Sequence, residues 1–384
     1  MKHALGFGLM AATALTLFTL GGCQSLPQNT PRQQLTAFRA GAPANIPLDT
    51  ALGEVAAPNE AALTEEIEVS ILTALQKEAG KFPMTRDVHA KHHGCVKAFF
   101  DADGSALPPA LRVGVFAAPK SYPSWVRFSN GQGKPKPDAD GDVRGFGLKL
   151  MGVPGPKLLE DERNEQTQDF LLINTPDFFI DDLRTYSSFI RATGKGGLGL
   201  AGFAVTHPRV MYRILKIFGQ KVANPLETDF FSTTPYKLGN TVVKYRVKPC
   251  VTGKTPYPAK PTPDYMRENM ARSLSSSDSC FTFMVQLQKD PRRMPLEDAT
   301  VHWDEALSPW IPVGNLRIPA QRFDSPAQMG FCENMSYTPW HSLPEHKPLG
   351  APNRVRKSVY QLVSKFRHQH NNAPRREPVS HAIQ

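Results

Sequence analysis

Arg86-Asp87-Val88-His89-Ala90-Lys91 sets one histidine between two cations, directly after an amphipathic stretch. Read alone, it fits a structural histidine in a solvated cationic frame. It decides the fold because three later segments carry matching chemistry. These are Arg127-Phe128-Ser129-Asn130, the run Asp169-Phe170-Leu171-Leu172-Ile173-Asn174-Thr175-Pro176-Asp177-Phe178-Phe179, and the trio Arg356, Tyr360 and Arg367.

Upstream of the histidine, Leu63, Ile67, Ile71 and Leu75 recur every fourth position, which predicts a helix over 59–80. Downstream, apolar or alternating runs at 96–100, 111–117, 124–129, 144–152, 168–173, 240–248, 280–288 and 313–318 read as strands. Turn chemistry such as Asp101-Ala102-Asp103-Gly104 and Asp138-Ala139-Asp140-Gly141 interrupts them. Helical spacing is expected at 180–192, 206–219, 263–273 and 355–368. The 35 prolines favour short strands and irregular connections over a helical bundle. The pattern predicts an α+β chain built on an antiparallel barrel or curved sheet with flanking helices. Gly194-Lys195-Gly196-Gly197-Leu198-Gly199 lacks the strand and the GK[ST] ending of a phosphate loop, and is read as a flexible connection.

The N-terminus begins Met1-Lys2-His3, runs apolar to Leu20, and ends at Gly21-Gly22-Cys23. That is the arrangement of a secretory signal, and the cysteine after two small residues predicts a lipoprotein whose Cys23 is acylated. The run is near the short limit of about 17–25 residues for a spanning helix. Expected boundaries are a signal peptide over 1–22, a tether over 23–58, one domain over 59–370 and a basic tail over 371–384. Gln24, with no Asp after the cysteine, suggests a periplasm-facing lipoprotein of the outer membrane. The net charge of +10 is compatible with nucleic acid or anionic lipid. Export argues against nucleic acid. Cys95, Cys250, Cys280 and Cys332 allow three pairings, and the Pro-rich loop between Cys250 and Cys280 favours that bridge.

On a helix Arg356 and Tyr360 share a face, and Arg367 returns to it two turns later. A free phenol, with a pKa near 10, is a poor ligand while protonated; a guanidinium beside it favours the phenolate. Tyrosinate is an axial ligand for haem iron, and an arginine such as Arg367 suits a bidentate carboxylate. His89 has the pKa range of a general acid–base for a peroxide, and Ser129 is placed to fix its tautomer. A metal site built from His89, His92 and His93 is a competing reading, though no HExxH-type motif supports it.

Taken in order, these segments resemble the catalase family. Arg86-Asp-Val-His89-Ala-Lys91 is similar to its distal-histidine motif. Arg127-Phe-Ser129 with Asp142-Val-Arg144-Gly145-Phe146 is similar to its next strands. The Asp169–Phe179 run resembles the segment with its distal asparagine, and Arg356-x-x-x-Tyr360 with Arg367 matches its proximal spacing. The resemblance implies an α+β fold with a catalase-like antiparallel β-barrel core and haem b between barrel and C-terminal helix. It implies Tyr360 as axial ligand of the iron, and His89, Ser129 and Asn174 as catalytic. It gives Arg86, Val88, Arg127, Tyr186, Arg356 and Arg367 to the cofactor.

The departures narrow this reading. Laid over the family without a gap, the distal asparagine falls on Ile173, and a one-residue adjustment is needed to use Asn174. The long C-terminal extension of large catalases is missing. The stretch from Cys332 to Tyr360, with Pro339-Trp340-His341, is more similar to small catalase-related haem proteins, including peroxidases and allene oxide synthase. A haem enzyme that cleaves peroxides, organic or lipid hydroperoxides before hydrogen peroxide, is the expectation. Its partners would be a peroxide, an electron donor, a membrane through the lipid anchor, and, on the same reading, further copies of the chain in a homo-oligomer. The alternative is a haem carrier or sensor lipoprotein without enzymatic activity.

Overall fold

The computed structural model describes residues 30–39, 47–80 and 83–383. The signal-like stretch and Cys23 lie outside the described residues. Among the described residues, nine strands form one antiparallel sheet: β1 His92–Ala102, β2 Lys120–Asn130, β3 Arg144–Met151, β4 Thr167–Ile173, β5 Phe230–Phe231, β6 Tyr236–Leu238, β7 Thr241–Pro249, β8 Ser279–Leu287 and β9 Ile311–Ile318. Their order is β5-β4-β3-β2-β1-β9-β8-β7-β6, and β5 also pairs with β7. Ile173 faces Phe231, which in turn faces Arg246. That bridge closes the sheet into an eight-stranded barrel, with β6 as a hairpin continuation on the same edge of β7.

Alternation along each strand decides what the barrel keeps inside. On β1 to β4 the even-numbered positions point inward: Val96, Ala98, Phe100, Val126, Phe128, Phe146, Leu148, Phe170 and Leu172 share one core. Phe128 and Phe146 meet edge to face at 5.3 Å, and Phe230 and Phe281 join them. Each such ring contributes about 1.5–3 kcal/mol by leaving water. The odd-numbered positions, among them Arg127, Ser129, Gly145, Lys149 and Asp169, consequently face outward. Chemistry is therefore carried on the outer wall, under the helices.

Those helices are α1 Pro31–Arg39, α2 Glu60–Glu78, α3 Leu183–Gly194, α4 Gly196–Thr206, α5 Pro208–Phe218, α6 Tyr265–Leu274, α7 Pro326–Asn334 and α8 Ala351–His370. Ile67, Ile71 and Leu75 of α2 pack with Leu183 of α3 and with Val355 and Leu362 of α8. The start of α8 is fixed electrostatically. Gly350 N–H donates to Glu54 at 3.0 Å and Ala351 N–H to Glu297 at 2.7 Å, where carboxylates complement the helix dipole. Arg354 ties Glu54, Glu60 and Glu297 to the same end at 2.8, 2.7 and 3.0 Å. Disulfides join Cys95 to Cys332 and Cys250 to Cys280, the latter being the favoured pairing.

Two expectations about local structure differ from what is seen, and two segments read from composition alone adopt a definite arrangement. Residues 111–117 are not a strand but part of two 3-10 turns, Pro109–Leu111 and Gly114–Phe116. Pro108 and Pro109 lack ladder donors, and Gly114 takes φ 55° against the His346 ring, so Val115 and Phe116 plug the barrel instead. The glycine-rich connection after residue 194 is largely helix α4, because Phe203 packs into an aromatic cluster with Phe189. Part of the stretch read as a tether is helix α1, docked on α2 through Leu35. The basic tail is a strap laid on the outer barrel wall: Glu377 ion-pairs with buried Lys149 at 2.6 Å, and the Trp125 indole donates to the Ser380 carbonyl at 3.2 Å.

Candidate active site on the outer barrel wall

His89 sits in the turn entering β1, at φ 58°, a left-handed conformation uncommon for residues other than glycine. The turn is held from both sides. His89 N–H donates to Gly131 O at 2.8 Å, and Arg127 Nη2 donates to the His89 carbonyl at 2.8 Å. Its ring Nδ1 lies 3.1 Å from Ser129 Oγ. Ser129, Gly145 and Ile173 are register partners across β2, β3 and β4, so they share one face. A Cβ on Gly145 would come within 2.4 Å of His89 Nδ1 and 2.7 Å of Ser129 Oγ. Only glycine there leaves room for the pair.

The same register corrects the assignment of Asn174. Ile173, not Asn174, carries its side chain on the Ser129 face. The Asn174 amide accepts from Arg144 N–H at 2.6 Å and donates to Gln220 at 3.0 Å, so it is used in tying β4 to its neighbours. Nor do His89, His92 and His93 form a metal site. His92 and His93 start β1 on opposite faces; His92 lies 3.6 Å from Glu333, whereas His93 is bonded to Asn130 at 3.1 Å.

Across from His89, Arg356 Nη2 donates to the Tyr360 hydroxyl at 3.1 Å, and Asn353 accepts from Arg356 Nη1 at 3.0 Å. Burial opposes the Arg356 charge, but the oxygens of Tyr360 and Tyr236 outweigh it and hold its pKa above the ordinary value. Tyr186 of α3 is the third aromatic here. Burial raises its phenol well above the usual range, and Tyr360 and Asp87 add to the effect. Val88, beside His89, is 49% exposed, an apolar side chain without cover in this corner.

Three arginines converge nearby on one carboxylate. Arg86 reaches Glu333 at 3.0 Å, Arg127 at 3.8 Å and Arg367 at 4.0 Å. One negative charge against three leaves two in excess. Burial, then repulsion from Arg86, lowers Arg127 and Arg367 to about 9. Arg127 Nε and Arg367 Nε are buried and have no hydrogen-bond partner among the described residues. Glu333 and Asn353 were not singled out from sequence, and Gly145 was named only within the Asp142–Phe146 stretch, not for a role of its own. Gly145 could have been, from its parity with Ser129; Glu333 has no local signal.

Burial, with Arg127 and Arg356 adding repulsion, pushes His89 down to about 3 and keeps its imidazole neutral. Burial likewise lowers His92 to about 2, His93 to about 4, His346 to about 3 and His368 to about 4. Between pH 6.5 and about 4 the unfolded chain thus binds more protons than the folded one. Each histidine costs about 1.4 kcal/mol per pH unit as pH falls through that window. Asp87, raised to about 6 by burial, and Asp142 and Asp169, also raised by burial, act in the opposite sense but are outnumbered. The urea midpoint should therefore fall steadily from pH 7 to pH 5; an equal or higher midpoint at pH 5 contradicts this assignment.

A closed antiparallel barrel with flanking helices is also the fold of solved catalases. The structure superposes on a fungal catalase (TM-score 0.58, 17% identity, 77% of this chain and 62% of that one). It does so equally on catalase A from Saccharomyces cerevisiae (0.58, 19%, 78% and 65%) and on a bacterial catalase (0.58, 21%, 82% and 64%). The chain thus spans a little under two thirds of the length of those catalases. In sequence it is 26% identical over 235 residues to a catalase-related peroxidase of Mycolicibacterium paratuberculosis, covering 56% of this chain and 69% of the relative. No family model matches the sequence. The chain has a catalase-like fold.

Proposed function

We propose that this chain is a haem-dependent enzyme that reduces peroxides, organic or lipid hydroperoxides in preference to hydrogen peroxide. The arginine cluster is the observation that carries the reading: two uncompensated positive charges and two orphaned Nε donors suit the two propionates of a haem. Arg86, Arg127 and Arg367 would hold those carboxylates, Tyr360 would supply the ligand oxygen for the iron, and Val88 and Tyr186 would line the ring. When bound, haem would supply an iron able to pass two electrons from a reductant into a peroxide O–O bond, which with two protons gives one water and either an alcohol, from an organic hydroperoxide, or a second water, from hydrogen peroxide.

The chain's own groups supply binding and proton handling. Arg356 donates to the Tyr360 oxygen and fixes its position. In the tautomer whose Nδ1–H donates to Ser129 Oγ, His89 Nε2 is a neutral base that would take the hydroperoxide proton and return it to the departing oxygen. Ile173 offers an apolar contact where an amide would hold a second hydrogen peroxide. That favours an organic substrate over disproportionation.

The two disulfides suit an oxidising compartment. With the signal-like start and Cys23, they support export as a periplasm-facing lipoprotein of the outer membrane. The test is a visible spectrum of the purified full chain, before and after peroxide, followed by turnover of hydrogen peroxide and of cumene hydroperoxide with a reductant. A Soret band that responds to peroxide and a higher kcat/KM for cumene hydroperoxide are expected. Rapid oxygen release from hydrogen peroxide without reductant would overturn the substrate preference. A Soret band indifferent to peroxide would favour a carrier or sensor, and no band after reconstitution would end the haem reading.

A further inference from the structure

From Leu183 to Leu226 the chain contains no Asp or Glu but seven cations: Arg184, Arg191, Lys195, Arg209, Arg213, Lys216 and Lys221. Helices α4 and α5 form a hairpin in the middle of this stretch. Their inner side is ordinary, since Phe203, Val210 and Ile214 are buried in one cluster. The outer side is not. Leu198 is 90% exposed, Val205 83%, Tyr212 70% and Leu215 66%. Helix α4 has no charged residue at all. A helix with a polar solvent face would carry charge there. Lys195, Arg209, Arg213 and Lys216 make no ion pair among the described residues, whereas Arg191 reaches Glu66 at 3.5 Å.

Apolar side chains rimmed by unpaired cations are what a helix needs to lie in the headgroup boundary of a bilayer. At 1.5 Å per residue, α4 and α5, of 11 residues each, fall well short of a hydrocarbon core of about 30 Å. None of the described helices is long and apolar enough to cross a membrane. A second copy of the chain is the poorer occupant. A two-fold contact through this face would set a carboxylate-free cationic surface against itself.

We infer that the α4–α5 hairpin docks this protein on an anionic phospholipid surface, with Leu198, Val205, Tyr212 and Leu215 entering the acyl boundary and Arg209 and Lys216 meeting phosphates. The hairpin is independent of any acyl anchor at Cys23. Its inner cluster also contains Phe178, Phe179 and Tyr186, so the docked face continues in apolar contact to the active-site corner. Resting on the proposed hydroperoxide activity, this places lipid hydroperoxides beside the site without passage through water.

The full chain carrying Leu198→Trp is mixed with vesicles of brominated phosphatidylcholine, with or without phosphatidylglycerol. Tryptophan emission at a residue so exposed should shift blue and be quenched only where phosphatidylglycerol is present, and salt should reverse it. Adding Arg209→Glu and Lys216→Glu should weaken vesicle binding by about fivefold or more per cation. Residues 1–29 are the same in every variant, so the difference reports the hairpin alone. Turnover of a water-soluble hydroperoxide should be unchanged by these substitutions, which separates docking from catalysis. An unquenched Leu198→Trp overturns the inference, as does quenching indifferent to lipid charge. A dimer in sedimentation that Leu198→Trp dissolves, without vesicle binding, would instead assign the face to a second copy.

Discussion

On the proposed haem-peroxidase reading, Tyr360→Phe should abolish or remodel the haem spectrum and lower peroxide turnover by more than about a hundredfold. The reasoning runs through what surrounds the hydroxyl. Arg356 gives it a hydrogen bond at 3.1 Å, Asn353 fixes Arg356 from the other side, and α8 is pinned at its start by Glu54 and Glu297. Such a pre-set oxygen exchanges little conformational freedom for a metal bond. Partners that merely tune a ligand are worth about 10–100-fold in metal affinity, so loss of the ligand atom must exceed that. Phenylalanine keeps the ring and its packing, so the helix should fold unchanged. Arg356→Leu should fall between, at about 10–100-fold in haem affinity. Reconstituted Tyr360→Phe with an unaltered Soret band would remove Tyr360 as the axial ligand and leave the arginine cluster to be explained by another anion.

How much of this was legible in sequence follows from the range over which each interaction acts. Strands β1 to β4 were readable because burial inside a barrel writes a period of two into the chain: Val126 and Phe128 in, Arg127 and Ser129 out. Helix α8 was readable because Arg356 and Tyr360 satisfy their contact within one turn. The 111–117 error arose from counting apolar residues and passing over Pro108, Pro109 and Gly114, which deny a ladder its donors and its extended backbone. Helix α4 was missed because glycine lowers helix propensity, while the packing of Phe203 that offsets it lies elsewhere in the chain. Glu333 could not be seen at all: it meets Arg86 across 247 residues of sequence. The Ile173 and Asn174 question was decided only by strand register, since a one-residue slip exchanges the two faces.

His89→Asn should cut peroxide turnover by about 10²–10⁴-fold, the usual share of a positioned general acid–base, while leaving the haem spectrum close to that of the native protein. Asparagine is the apt replacement because residue 89 sits at φ 58°, a conformation that Asn tolerates better than Gln or Ala. The turn itself should persist, since its bonds to Gly131 and Arg127 are made by backbone atoms of residue 89. An amide, unlike the neutral imidazole, has no basic nitrogen to take a proton. Ser129→Ala tests the orienting contact separately. Loss of one hydrogen bond of about 0.5–1.5 kcal/mol should lower turnover only about two- to tenfold, with His89 still present to move the proton. The order of the two variants is what discriminates. If Ser129→Ala were as damaging as His89→Asn, the hydroxyl itself would be handling the proton. If His89→Asn kept native turnover, the proton would reach the departing oxygen by another route and His89 would be a wall of the pocket only.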